Sequence, residues 1–266
     1  MIRFVKAHAC GNDFLIVEND WAGGADQQRL AVRLCERNTG VGADGVEFLE
    51  WTGSGSGQIQ LYNADGSLAE ISGNGTRCVA AWMSHQKGTR ELVIETDAGK
   101  RLCEVIAADG KRYEIRSRMG VPTIARHTVK LADGSQVEGA VVSMGNPHFV
   151  IRVESEDFNV GSRDWRSVGR EICFHADFPE QTNVEFVHLL SSGEIGIRIF
   201  ERGVGPTTSS GTGTCATATA AMELHGAGRV LNVRAPGGTQ RVEWAGSGEE
   251  MLLTGPAELI CIGEAF

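Results

Sequence analysis

Ser72-Gly73-Asn74-Gly75-Thr76 returns 138 residues later as Ser210-Gly211-Thr212-Gly213-Thr214. Each run opens an Ala-rich segment: Val79-Ala80-Ala81-Trp82-Met83 in one, Ala216-Thr217-Ala218-Thr219-Ala220-Ala221-Met222 in the other. The segments stop at Gly88 and Gly226. Working outward, Asp97-Ala98-Gly99-Lys100 resembles Ala235-Pro236-Gly237-Gly238, and upstream Gly11-Asn12 recurs as Gly145-Asn146. Four matches in one order indicate a duplicated chain. The halves are 1–118 and 119–266, the second a repeat of the first, with a C-terminal segment able to cross back to the first lobe.

Each half reads as strands, one glycine-opened helix, then more strands. Short β-branched runs bounded by Gly, Asp or Asn predict strands at 3–5, 14–18, 59–63, 92–96, 101–106 and 113–117. The second half has them at 141–143, 149–153, 184–190, 195–200, 231–234, 240–244 and 251–253. An amphipathic helix is expected over 26–38. The two Ala-rich helices carry few charges, so burial on all sides is expected, and small side chains let strands wrap closely about them. The fold class is α+β, in two pseudosymmetric lobes. Gly53-Ser54-Gly55-Ser56-Gly57 reads as a flexible hairpin loop.

Composition limits the function. The chain has 266 residues and a net charge of −9, which lacks the basic footprint of a nucleic-acid binder. No run approaches the ~18 apolar residues of a membrane span. The seven cysteines are odd in number and never spaced C-x-x-C, so reduced thiols in a cytoplasmic protein fit better than disulfides or a structural zinc. Glycine, 35 residues, is about twice the usual ~7%, as in chains that bring backbone close to ligands.

The first amides of a helix have no intrahelical acceptor and lie at its positive end. Glycines there let an anion approach. Neither run ends in the Gly-Lys-Ser/Thr of a P-loop. Ser72 and Ser210 each stand where an N-cap is favoured. Two hydroxyls at equivalent places in related halves can also face one substrate carbon.

Gly11-Asn12-Asp13-Phe14, Gly40-Val41-Gly42-Ala43-Asp44-Gly45, Asn63-Ala64-Asp65-Gly66-Ser67, Gly73-Asn74-Gly75-Thr76-Arg77-Cys78, Met144-Gly145-Asn146-Pro147-His148 and Glu201-Arg202-Gly203 occur in this order. Together they resemble the diaminopimelate epimerases, from Phe4 to about Ile260. The resemblance implies lobes built of a strongly curved mixed sheet around a central helix. It also implies cofactor-independent interconversion of LL- and meso-diaminopimelate, in lysine and peptidoglycan synthesis. It implies no metal, nucleotide or pyridoxal cofactor, no nucleic-acid or membrane partner, and leaves room for a homodimer. Asn12, Gly73, Asn74, Gly211 and Thr212 correspond to residues around the reacting end of the substrate. Asn63, Asn146, Asn183 and Arg202 correspond to polar contacts, mostly at its distal end. Glu201 and His148 fall near the α-amino end and the catalytic pair.

The departure lies at the chemical centre. The family has a cysteine before each glycine pair; here those positions are Ser72 and Ser210. A cysteine with an ordinary pKa near 8.5 is readily tuned lower, whereas a hydroxyl is a far weaker acid. No base adjoins either serine in sequence. Cys78 and Cys215 lie inside the helices and read as inert. The working expectation is an inactive Ser/Ser form of the epimerase, produced by deliberate exchange. The alternative is a natural serine–serine relative, an amino-acid dehydratase or a non-catalytic amino-acid binding protein.

Overall fold

The structure, a computed structural model, describes residues 1–69 and 71–266. The chain divides into two compact units, Met1–Arg118 with Thr254–Phe266, and Met119–Leu253.

In unit 1, β1 (Ile2–Ala9) and β2 (Asn12–Glu18) form a hairpin. Two helices, α1 (Asn19–Ala22) and α2 (Gln27–Cys35), lead to β3 (Gly45–Gly53), which lies parallel to β2. Then come β4 (Ser56–Asn63), antiparallel to β3, and the short β5 (Leu68–Ala69). Next, α3 (Gly73–Lys87) crosses to β6 (Glu91–Thr96), parallel to β4. β7 (Gly99–Asp109) and β8 (Arg112–Arg118) follow as antiparallel neighbours.

Unit 2 repeats the plan. Its elements are β9 (Thr123–Lys130), β10 (Gln136–Ser143), β11 (Pro147–Arg152), α4 (Trp165–Cys173), β12 (Asn183–Ser191), β13 (Glu194–Glu201), β14 (Gly205–Thr207), α5 (Gly211–Leu224), β15 (Val230–Ala235) and β16 (Gly238–Glu243). The parallel pairs recur, β11 with β12 and β13 with β15. The last strand, β17 (Leu252–Ala265), pairs antiparallel with β1 of unit 1, Ile2 opposite Ala265.

Each unit is a mixed sheet wrapped around a buried central helix. Ala80, Ala81, Trp82 and Met83 of α3 pack against Leu49 of β3 and Ile94 of β6. Ala216, Ala218, Ala220 and Ala221 of α5 pack against Val187 of β12 and Val233 of β15. A second apolar layer covers the other face of each sheet, Val46 and Phe48 against α2, Val184 and Phe186 against α4. β3 and β12 are therefore buried on both faces, as parallel strands between helices must be.

Local chemistry sets the ends. Asp26 caps α2, accepting from Arg29 N–H. That helix stops at Cys35 rather than continuing to 38, because the Val41 and Gly42 amides claim the Leu34 carbonyl. Gly88, at φ +68°, closes α3 in the left-handed conformation that glycine adopts without strain. Ser54-Gly55 is a tight two-residue turn between Gly53 and Ser56, which face each other in register, and not a loose loop. Among the described residues no helix is long and apolar enough to cross a membrane.

Candidate functional site

The two serine-capped helix starts share one local geometry. Ser72 and Ser210 both have extended backbones, φ −123° and −145°. Ser72 Oγ accepts the Gly75 N–H at 3.1 Å, and Ser210 Oγ accepts the Gly213 N–H at 3.2 Å. Both are thus N-caps, and each cap holds its hydroxyl oxygen over the positive end of a helix.

In unit 1 a polar chain surrounds this start. Asn74 Nδ2 donates to Asn12 Oδ1 at 3.1 Å, and Asn12 Nδ2 donates to Asp44 at 2.6 Å. Arg77, fully buried, donates to Asn74 Oδ1 at 2.5 Å. Arg37 bridges Asp13 and Asp44 at 2.9 and 2.7 Å, and Lys6 pairs with Asp13 at 3.0 Å. Burial works to raise the Asp13 carboxyl, but Arg37 and Lys6 outweigh it and hold it below the usual range. Asn63 is exposed, and its side chain donates to Ser67 Oγ at 3.0 Å in its own turn.

In unit 2, Asn146 Oδ1 meets His148 Nε2 at 2.9 Å, and its Nδ2 donates to Thr212 at 3.4 Å. His148 Nδ1 meets Glu185 Oε1 at 2.7 Å, with both residues fully buried. Asn183 accepts the Arg202 N–H at 2.9 Å and donates to Pro147 O at 3.1 Å. The Arg202 guanidinium lies in solvent with one bond, to Glu180 O at 3.1 Å. Glu201 lies beside the Ser210 and Thr207 hydroxyls; burial pushes its carboxyl up, and the Ser210 hydroxyl opposes that.

Sequence reasoning missed two glutamates. Glu47 on β3 and Glu185 on β12 are both fully buried, with side chains on the central-helix face of their strands. A Cβ at Gly75 would lie 1.9 Å from Glu47 Oε1; one at Gly213 would lie 2.9 Å from Glu185 Oε1. The signal was present: Val46-Glu47-Phe48 recurs as Val184-Glu185-Phe186 at the 138-residue offset that relates Ser72 to Ser210. No base adjoins either serine in sequence; in the fold the Glu201 carboxyl, at the end of β13, lies beside Ser210. Cys78 and Cys215 are fully buried in their helices, and burial pushes the Cys78 thiol up, away from thiolate chemistry. A cavity of about 580 Å³ in unit 2, lined by Glu201 together with Arg166, Arg170, Phe174, Phe200 and Val204 among others, includes neither serine.

A family model described as Diaminopimelate epimerase matches residues 4–125 and 140–260. The chain is 37% identical to diaminopimelate epimerase of Desulforudis audaxviator, over 99% of each chain. It is 36% identical to the Pelotomaculum thermopropionicum enzyme of the same name, over 99% of this chain and 98% of that one. Among solved structures, a probable proline racemase from Agrobacterium radiobacter superposes with a TM-score of 0.73 at 15% identity, over 100% of this chain and 93% of that one. That likeness establishes the fold, and the sequence matches establish the kinship: the chain belongs to the diaminopimelate epimerase family, an isomerase scaffold.

Proposed function

We propose that the chain binds diaminopimelate and moves a proton at its α-carbon without a cofactor, with Ser72 and Ser210 as the two acid/base groups. Removing an α-proton from one face and returning one on the other needs two such groups. The observation that carries the reading is the duplicated serine-capped helix start, each with a buried glutamate against its third residue. The first-turn amides at Gly73-Asn74 and Gly211-Thr212 suit a carboxylate that gains charge as the carbanion forms, as oxyanion-hole donors do. Asn12 and Asn74, Asn146 and Thr212, with Gly73, Gly211 and Glu201, surround the reacting end. His148 supports Asn146. Asn63, Asn183 and Arg202 hold the distal amino acid, within a cytoplasmic lysine-forming route.

A hydroxyl is a poor base, so this Ser/Ser chain is slow or inactive in epimerisation. Ser72→Cys together with Ser210→Cys is expected to restore turnover, and either change alone is not expected to restore it fully. Epimerisation of LL-diaminopimelate and α-proton exchange in heavy water measure this. A double variant that folds and binds but neither exchanges nor epimerises overturns the reading. A second reading, a non-catalytic amino-acid binding protein, is supported by the use of both hydroxyls as helix caps. A serine-based dehydratase is the remaining alternative; release of water from a hydroxylated amino acid would select it.

A further inference from the structure

Glu47 is the group in unit 1 whose presence packing does not explain. It is fully buried, and neither carboxyl oxygen has a hydrogen-bond partner among the described residues. Its cross-strand neighbours are Ile16 on β2 and Leu61 on β4. A buried acid without a partner is costly, and an aliphatic residue would fill this strand position at lower cost. Such groups concentrate at functional sites.

The surroundings give it a direction. Glu47 Oε1 rests against the Gly75 backbone, where an added Cβ would collide at 1.9 Å. The same point lies 3.3 Å from Ser72 Cβ, so the carboxyl and the Ser72 side chain flank one glycine at the helix start. The counterpart in unit 2 differs. Glu185 is paired with His148, whose register partner is Asn183; the residue in register with Gly45 in unit 1 is Phe14. Phenylalanine thus replaces the basic ring, and Glu47 is left as a lone carboxyl. The ionisable groups buried on α3 are the Arg77 guanidinium and the Cys78 thiol, and the thiol lies within electrostatic reach of Arg77, Glu47, Cys10 and Asp13.

We propose that Glu47 is a positioning residue that acts through position 72, its buried carboxyl set behind the same helix start so that its charge governs how readily the group at 72 carries negative charge beside the substrate α-carbon. This rests on the function proposed above. No proton passes between the two side chains, because neither carboxyl oxygen hydrogen-bonds to Ser72; the coupling is electrostatic. The lone carboxyl holds its proton to about pH 8, because burial disfavours the charged form, so it stays neutral beside position 72 near neutrality and opposes negative charge there above that pH.

The test needs no substrate in its first arm. Ser72→Cys introduces a thiol at position 72, and its alkylation rate is followed against pH by peptide-resolved mass spectrometry, alone and with Glu47→Gln or Glu47→Asp. Coupling is expected to displace the alkylation midpoint by at least one pH unit between the Glu47 and Gln forms, with the Asp form keeping the carboxyl-dependent limb. Coincident profiles in all three overturn the proposal, and Glu47→Asp guards against a Gln form that does not fold. The second arm follows α-proton exchange of diaminopimelate in heavy water against pH in the Ser72→Cys, Ser210→Cys chain. Glu47→Gln is expected to displace that pH profile by at least one unit at unchanged Kd; coincident profiles overturn the proposal. If diaminopimelate does not bind at all, the proposed function falls, and the thiol titration alone decides the role of Glu47.

Discussion

At the scale of single residues, position 47 leaves a signature in stability as well as in chemistry. A glutamate ordinarily ionises near 4.5, and burial pushes Glu47 up to about 8 in the folded chain. Between those values the folded state keeps a proton that the unfolded state has lost. Stability therefore falls as pH rises from about 4.5 to 8 and levels off above. Glu47→Gln should remove that loss, adding a few kcal/mol at pH 8 and nothing at pH 4; urea unfolding at both pH values measures the difference, and parallel curves would contradict it. Gly75 is tied to the same carboxyl by close approach. Gly75→Ala is expected to destabilise by about 1–3 kcal/mol through overpacking, and Glu47→Ala in the same chain should recover part of it. Gly213→Ala, facing Glu185 at 2.9 Å, should cost less. Arg202 offers a planar fork that only one backbone carbonyl engages. Arg202→Ala should weaken diaminopimelate binding by about 1.5–3 kcal/mol, the range for a charge-assisted hydrogen bond; calorimetry on the Ser/Ser chain reads this, and unchanged affinity removes Arg202 from the site.

At the scale of elements, the helices divide by what they bury. α5 packs small residues on every side and satisfies its buried hydroxyls within the helix, Thr217 donating to Gly213 O at 2.6 Å and Thr219 to Cys215 O at 2.9 Å. Little slack remains around Ala218, so Ala218→Leu should destabilise by about 1–3 kcal/mol. Ser210→Ala removes only the cap and should cost about 1 kcal/mol; thermal melts rank the two. The repeat made the central helices legible, because a glycine-opened Ala-rich run keeps its pattern wherever it packs. β3 was not legible as a strand. It is buried on both faces, so Val46-Glu47-Phe48 shows no alternation, and a glutamate in such a run reads as outward-facing when it in fact points at the central helix. α4 carried a signal the sequence reading passed over: Trp165, Val168 and Ile172 stand at the i, i+3, i+7 spacing of one helical face, with Arg166, Arg170 and Glu171 between them. The asparagines and serines were named from the motifs. The buried glutamates were marked in sequence only by the recurrence of Val-Glu-Phe at the repeat offset, because their burial is assembled by strands distant in sequence.

For the whole molecule, the feature with the widest reach is β17, whose residues 254–266 belong to unit 1 although they follow all of unit 2. Unit 2 is continuous, Met119–Leu253, with its own apolar cores. Residues 119–253 expressed alone are expected to unfold cooperatively, whereas a chain ending at residue 253 should keep unit 2 protected from protease and lose protection in unit 1. Cleavage spread evenly over both would contradict this. Domains usually fold in the order in which they leave the ribosome, the N-terminal one first. Here that order is inverted. The first 118 residues emerge early but lack the strand that covers β1, so they wait with an unpaired edge while the later unit completes itself. A nascent chain stalled before residue 254 leaves that edge open to pairing with other chains, so the pace of translation through the codons for residues 254–266 sets how long the N-terminal half is exposed to aggregation.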